Sequence, residues 1–175
     1  MKRWILWVPL AMFFGFCALF AYHLARPKTE FVASTMIGRP LPEFSLRAAV
    51  ADRPALATAD FRDGKPRLFN VFASWCIPCA AEAPQLEMLR RRGADIVAVA
   101  IRDRPDDVAD FLSRYGNPYS RIGADDLSEV QLGIGSSGVP ETFVIDGDGM
   151  ITYQHIGDIR ASDVPVLLQK LEEAR

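Results

Sequence analysis

Cys76-Ile77-Pro78-Cys79 places two thiols with two residues between them, a spacing that can close a small disulfide and open it again. The reacting species in such exchange is the thiolate. The apolar run Arg67-Leu68-Phe69-Asn70-Val71-Phe72-Ala73 leads towards the pair and predicts a buried strand, and Ala80-Ala81-Glu82-Ala83 after it favours helix. The pair therefore falls where a strand gives way to a helix, with Cys76 near the helix N-terminus. Unpaired backbone N–H groups and the helix dipole favour negative charge there. Cys76 is the expected attacking thiol. Cys79, one turn further on, faces inward and is the expected resolving thiol. Trp75 directly precedes the pair.

Other uses of a CxxC pair are open at this point. It can be half of a zinc site, but four ligands are wanted and the chain adds only His23 and His155, far apart in sequence. As a purely structural bridge it encloses too few residues to restrict the unfolded chain much. Held as thiolates, the pair can bind Cu(I), for which further soft ligands are expected; Met36, Met88 and Met150 all lie away from the motif. Redox exchange fits the pair best. The sequence contains no P-loop, and no metal, flavin or nucleotide cofactor is expected.

The elements that must position the pair follow from pattern. The helix after Cys79 is expected to run to about Arg92 and stop at Gly93, with Pro84 removing one of its hydrogen bonds and kinking it. Asp95–Ile101 predicts a second buried strand, Pro105–Tyr115 a helix with Val108, Phe111 and Leu112 on its apolar face, and 126–132 a short helix. Glu141–Ile145 and Met150–His155 flank Asp146-Gly147-Asp148-Gly149 as a hairpin, and Ser162–Glu173 closes the chain as an amphipathic helix. Glu43–Arg47, after two prolines, is expected to be a short edge strand. The order strand, helix, strand, helix, strand, strand, helix predicts an α/β domain whose βαβ units end in an antiparallel hairpin. Val139-Pro140 stands at the start of one of these strands, where either isomer of the bond is possible.

At 175 residues the chain has room for one such domain and a short extra segment. That segment, Trp4 to about Leu24, contains no Asp, Glu, Lys or Arg and is long enough to span a bilayer as a helix. Lys2 and Arg3 before it place the N-terminus in the cytoplasm. The expected division is an anchor over 1–25, a linker over 26–37 and a domain over 38–175, the domain exported to a compartment where disulfides persist. A cleaved signal peptide is the alternative, disfavoured by the length of the stretch and the lack of a clean small-x-small site after it. Cys17, inside this stretch, is expected to face lipid or pack. Residues 1–25 hold Lys2 and Arg3 and no acid, leaving 18 basic against 22 acidic residues elsewhere, a net of −4. No basic stripe is present, so no nucleic acid is expected.

The motifs together resemble the thioredoxin superfamily. More narrowly, IGRPLPEFSL, LFNVFASWCIPCAAE, GNPYSRIG and GVPETFVIDGDG are similar to the membrane-anchored thiol:disulfide interchange proteins of cytochrome c maturation, the DsbE/CcmG family. The resemblance spans about Ile37 to Leu171, plus the anchor. It implies a thioredoxin-like fold, a central mixed sheet flanked by helices, preceded by one transmembrane helix. It implies Cys76 and Cys79 as the redox pair, with Trp75 and Pro78 beside them, and Pro140 as the cis proline packed against the CxxC. Val139 then offers backbone groups to an extended substrate segment. Glu82 and Glu141 match acidic family positions that tune the thiols or move a proton. Asn70 stands where many thioredoxins carry a buried Asp, and Ala80 where members often carry a basic residue. The implied activity is reduction of apocytochrome c disulfides in the periplasm from a single-pass inner-membrane anchor. A membrane thiol reductase of the DsbD or CcdA type is the implied regenerating partner. A general periplasmic thiol reductase with other clients is the alternative.

Overall fold

The computed structural model describes residues 4–25 and 34–175. The chain divides into two units, residues 1–31 and 32–175. The first contains helix α1, Trp4–Ala25, 22 residues with Pro9 inside it. Most of the expected linker, and the flanking cations Lys2, Arg3, Arg26 and Lys28, lie outside the described residues. Among the described residues no helix is long and apolar enough to cross a membrane.

The second unit runs β1 (Ser45–Leu46), β2 (Leu56–Ala57), β3 (Arg67–Phe72), α2 (Ile77–Arg91), β4 (Ile96–Ile101), α3 (Pro105–Tyr115), β5 (Arg121–Asp125), α4 (Glu129–Gly133), β6 (Glu141–Ile145), β7 (Ile151–Ile156) and α5 (Val164–Glu173). The main sheet has five strands in the order β5-β4-β3-β6-β7. β3, β4 and β5 are parallel neighbours, and β6 and β7 add antiparallel on the other side of β3. β1 and β2 form a small antiparallel pair. Every residue of β3 and β4 is buried, as befits strands covered on both faces, which accounts for their unbroken apolar runs. Arg67, at its start, and Asn70 are the polar residues in β3. Phe61, Phe69, Phe72 and Phe143 are among the largest wholly buried side chains. Each adds about 1.5–3 kcal/mol of burial.

Local chemistry ends each element. α3 begins at Pro105, whose missing N–H costs nothing in the first turn, and stops before Gly116, at φ +99°. In the β6–β7 turn the Asp146 carboxylate accepts from Asp148 N at 3.0 Å and Met150 N at 2.8 Å. α2 continues through Pro84 and buries Cys79, Glu82, Ala83, Leu86 and Leu89.

The fold departs from the sequence pattern in two places. A further strand, β5, completes the sheet where no strand is expected. RIGAD does not alternate, and it carries Gly123, where a Cβ would lie 2.8 Å from Leu46 Cδ1 and 3.2 Å from Leu56 Cβ. The small β1–β2 pair packs there, so the position needs glycine for close approach. The expected Glu43–Arg47 strand shrinks to Ser45–Leu46, paired with an unforeseen β2. The folded unit also takes in Ser34, which is buried and donates from its hydroxyl to Ile134 O at 2.6 Å.

Candidate active site

Topology gathers the chemistry at one end of the sheet. β3 runs directly into Ala73-Ser74-Trp75-Cys76. Val71 pairs with Glu141 across β3 and β6, so Val139-Pro140 falls at the end of β3 from which the motif emerges. The bond between Val139 and Pro140 is cis. β4, parallel to β3, ends there too and delivers Arg102 and Asp103.

Cys76 and Cys79 form a disulfide. Cys76 is the N-cap of α2, and its Sγ accepts from Cys79 N at 3.2 Å. Pro78 sits in the first turn, where its lack of an N–H is tolerated. Both cysteines are almost wholly buried, whereas Ile77 is 84% and Trp75 54% exposed, leaving an apolar rim around the sulfurs.

The loop before the motif is pinned from β4. Ser74 donates its backbone N–H to Asp103 Oδ2 at 2.5 Å and its hydroxyl to Asp103 Oδ1 at 2.7 Å. Trp75 Nε1 donates to Arg102 O at 3.4 Å. Arg102 has φ +45°, in the left-handed region that non-glycine residues enter at a cost of roughly 1–2 kcal/mol. That turn places both acceptors. A cleft of about 320 Å³ lies beside Trp75 and Ser74, lined across by Asp107, Asp110, Phe111, Arg114 and Tyr115 of α3. A larger cleft of about 400 Å³, lined by Arg53, Arg90 and Tyr119 among others, contains neither cysteine.

Beneath the pair is a buried polar chain. Glu82 is wholly buried and lies three residues after Cys79 on α2, hence on the same helix face. Its Oε1 accepts from Asn70 Nδ2 at 3.0 Å and its Oε2 from Ile159 N at 3.0 Å. Burial pushes the Glu82 carboxyl up to about 7, outweighing these two donors, and the Asp158 charge adds to the rise. Asn70 Nδ2 also donates to Thr142 Oγ1 at 2.9 Å, directly across the β3–β6 register, and Asn70 Oδ1 accepts from Tyr119 Oη at 2.9 Å. Burial, then the Glu82 charge, raises the Tyr119 phenol well above its ordinary value, so it remains a proton donor.

Glu141 takes a different part from Glu82. It is buried and accepts from Ser137 N at 3.0 Å, Ser137 Oγ at 2.6 Å and Gln154 Nε2 at 2.9 Å. Those bonds tie the loop carrying Val139-Pro140 to the sheet. Among the described residues nothing pairs with the backbone N–H or C=O of Val139.

Of the residues singled out in the sequence, Trp75, Cys76, Pro78, Cys79, Glu82 and Asn70 come together, with Val139, Pro140 and Glu141 at the adjoining strand end. Asp103, Tyr119 and Thr142 were not foreseen. Asp103 had a signal, an acid just past a parallel strand. Tyr119 and Thr142 had none in their spacing. Among the described residues no group of three or more His, Cys, Asp and Glu could hold a metal.

A disulfide at a helix N-cap, at the sheet end where Val139-Pro140 also falls and with a buried carboxyl one turn along the same helix, on a mixed sheet of this order, defines a thiol-disulfide oxidoreductase of thioredoxin-like fold. Comparison with known proteins narrows the class. The Redoxin family model matches residues 36–171. Thiol:disulfide interchange protein HelX of Rhodobacter capsulatus is 36% identical over 91% of this chain and 90% of its own length. DsbE of Escherichia coli is 37% identical over 91% and 88%. A Chlorobium tepidum thiol:disulfide interchange protein of the thioredoxin family superimposes with a TM-score of 0.61 at 25% identity, covering 82% of this chain and 98% of that one. The chain belongs to the Redoxin family, among the thiol:disulfide interchange proteins related to DsbE and HelX.

Proposed function

We propose that this oxidoreductase works as a membrane-tethered periplasmic reductant, with Cys76 as nucleophile and Cys79 as resolving thiol, and that its client is apocytochrome c before haem attachment. The Cys76 thiolate attacks one sulfur of the client disulfide. A Cys76–client bond forms, the client S–S bond breaks, and the other client sulfur leaves as a thiolate that takes up a proton. Cys79 gives its proton to the Glu82 carboxylate and attacks Cys76 Sγ. The Cys76–Cys79 bond forms, the bond to the client breaks, and the client leaves with two electrons gained. A membrane thiol reductase of the DsbD or CcdA type returns those electrons.

The observation that carries this reading is the buried Glu82 carboxyl on the Cys79 face of α2. Held up to about 7, it can accept a proton near neutral pH. It takes the place of the carboxylate that Asn70 lacks, and Ala80 leaves it without a competing cation next to the pair. The client's extended segment pairs with the free backbone of Val139, with Trp75, Ile77 and Pro78 as the apolar rim.

The tether is α1. Its 22 residues rise about 33 Å, enough for a hydrocarbon core of about 30 Å. Trp4–Ala25 contains no Asp, Glu, Lys or Arg. Trp7, Phe13, Phe14, Phe16 and Phe20 are exposed within that stretch, an apolar surface suited to lipid. Tethering raises effective concentration near membrane partners.

Direction is tested by equilibrating the protein against glutathione and following Trp75 fluorescence. A potential well below about −120 mV supports a reductant, and one near that oxidising value overturns it.

A further inference from the structure

The Asn70 amide can sit in two orientations of the same shape, and only one serves an ionised Glu82. A carboxylate only accepts, so the side of Asn70 facing it must be the NH2. The flipped amide would present its oxygen, a partner for a protonated Glu82 alone. Thr142, on the same side, accepts from one orientation and donates to the other. The Tyr119 hydroxyl can also do either, but among the described residues its proton has no acceptor besides Asn70 Oδ1, so a flipped amide would leave that proton buried and unpaired. The Tyr119 ring is stacked on Phe72, its hydroxyl is buried, and its proton goes to Asn70 Oδ1 at 2.9 Å.

We propose that Tyr119 is a positioning residue for the redox reaction: its hydroxyl proton locks the Asn70 amide with NH2 towards Glu82, and so keeps Glu82 available as the proton acceptor for Cys79. The inference rests on the proposed part of Glu82 in resolution. The charged and titratable groups around Glu82 are Asp158 in the loop after β7, the Tyr119 phenol, and Cys76 and Cys79 on its own helix; Asp158 is itself paired with Arg160 at 3.7 Å. Asn70 and the Ile159 N–H are the neutral donors.

The test is a single turnover of the reduced protein with an aromatic disulfide that releases a coloured thiolate at each step. One equivalent leaves when Cys76 attacks and a second when Cys79 resolves. The pH midpoint of the second phase reports the base. In Tyr119→Phe the midpoint moves alkaline by about one pH unit, the loss of a charge-assisted hydrogen bond. Tyr119→Phe in an Asn70→Ala background adds no further shift, because the two act as one unit.

An unmoved midpoint in Tyr119→Phe, where Glu82→Gln abolishes that midpoint, overturns the inference and leaves the base intact. Shifts that add in the double variant overturn it too, since Tyr119 would then act without Asn70. A second phase unchanged in Glu82→Gln removes the base itself. A measurement on the wild type guards against variants that do not fold. The side-chain amide 15N resonance of Asn70 must titrate with a midpoint near that of Glu82 while the Tyr119 hydroxyl proton stays protected from exchange. An amide that does not titrate overturns the inference.

Discussion

Replacing Glu82 with Gln in the oxidised protein isolates one buried proton. The carboxyl ordinarily titrates at 4.5 and is held up to about 7 in the fold, chiefly by burial. The folded state therefore binds this proton more tightly than the unfolded state. Its contribution is fully present below 4.5 and is lost as pH rises through about 7. The rise corresponds to about 3 kcal/mol. The substituted amide cannot titrate. It also cannot accept from both Asn70 Nδ2 and Ile159 N, which costs about 1 kcal/mol at every pH. Urea unfolding of both oxidised proteins from pH 4 to 8.5 separates the two effects, since all other groups are shared. The variant should start slightly less stable at pH 4 and gain about 3 kcal/mol on the wild type by pH 8. A difference flat to within about 0.5 kcal/mol, with equal m-values, would refute the claim that Glu82 is buried with a raised proton affinity.

Further outcomes are expected at the surrounding residues. Asp103→Ala leaves the Ser74 N–H without its acceptor, so thermal unfolding should show a loss of about 1–3 kcal/mol, with Trp75 fluorescence reporting a looser motif. Glu141→Ala removes the acceptor for Ser137 and Gln154. On the proposed pairing of a client segment with Val139, it should slow reduction of a protein disulfide more than that of a small aromatic disulfide; equal slowing of both contradicts that pairing. Arg67, nearly buried, bonds Asp63 at 2.7 Å and Asp95 at 2.7 Å and the Asp60 carbonyl, so Arg67→Ala should cost about 2 kcal/mol in urea unfolding while leaving thiol exchange unchanged.

The redox pair was legible in the sequence because its chemistry is local. Strand run, Cys spacing and helix onset all lie within a few residues of one another. β3, β4, α3 and the β6–β7 hairpin were legible for the same reason, each carrying its own period and end signals. β5 was not. Its signal is the close approach of Leu46 and Leu56 to Gly123, a contact between segments far apart in sequence. The buried polar chain was only half legible. Asn70 and Glu82 stood out as family positions, but Tyr119 joins them across 49 residues and Thr142 across 72, and only the β3–β6 register and the packing of Tyr119 on Phe72 bring them together. The separate parts of the two acids also needed the fold. Glu82 shares the Cys79 face of α2, whereas Glu141 is spent on the loop.

Cys79→Ser tests the central claim most directly. Without the resolving thiol the mixed disulfide on Cys76 persists, and whatever is covalently held in the native envelope can be identified. Apocytochrome c and a membrane thiol reductase are the predicted captives. Other envelope proteins in their place would keep the chemistry and contradict the cytochrome assignment, making a general periplasmic reductase the better reading. An empty trap, with Cys76 present and reduced, would contradict the account as a whole and favour Cu(I) binding by the two thiols.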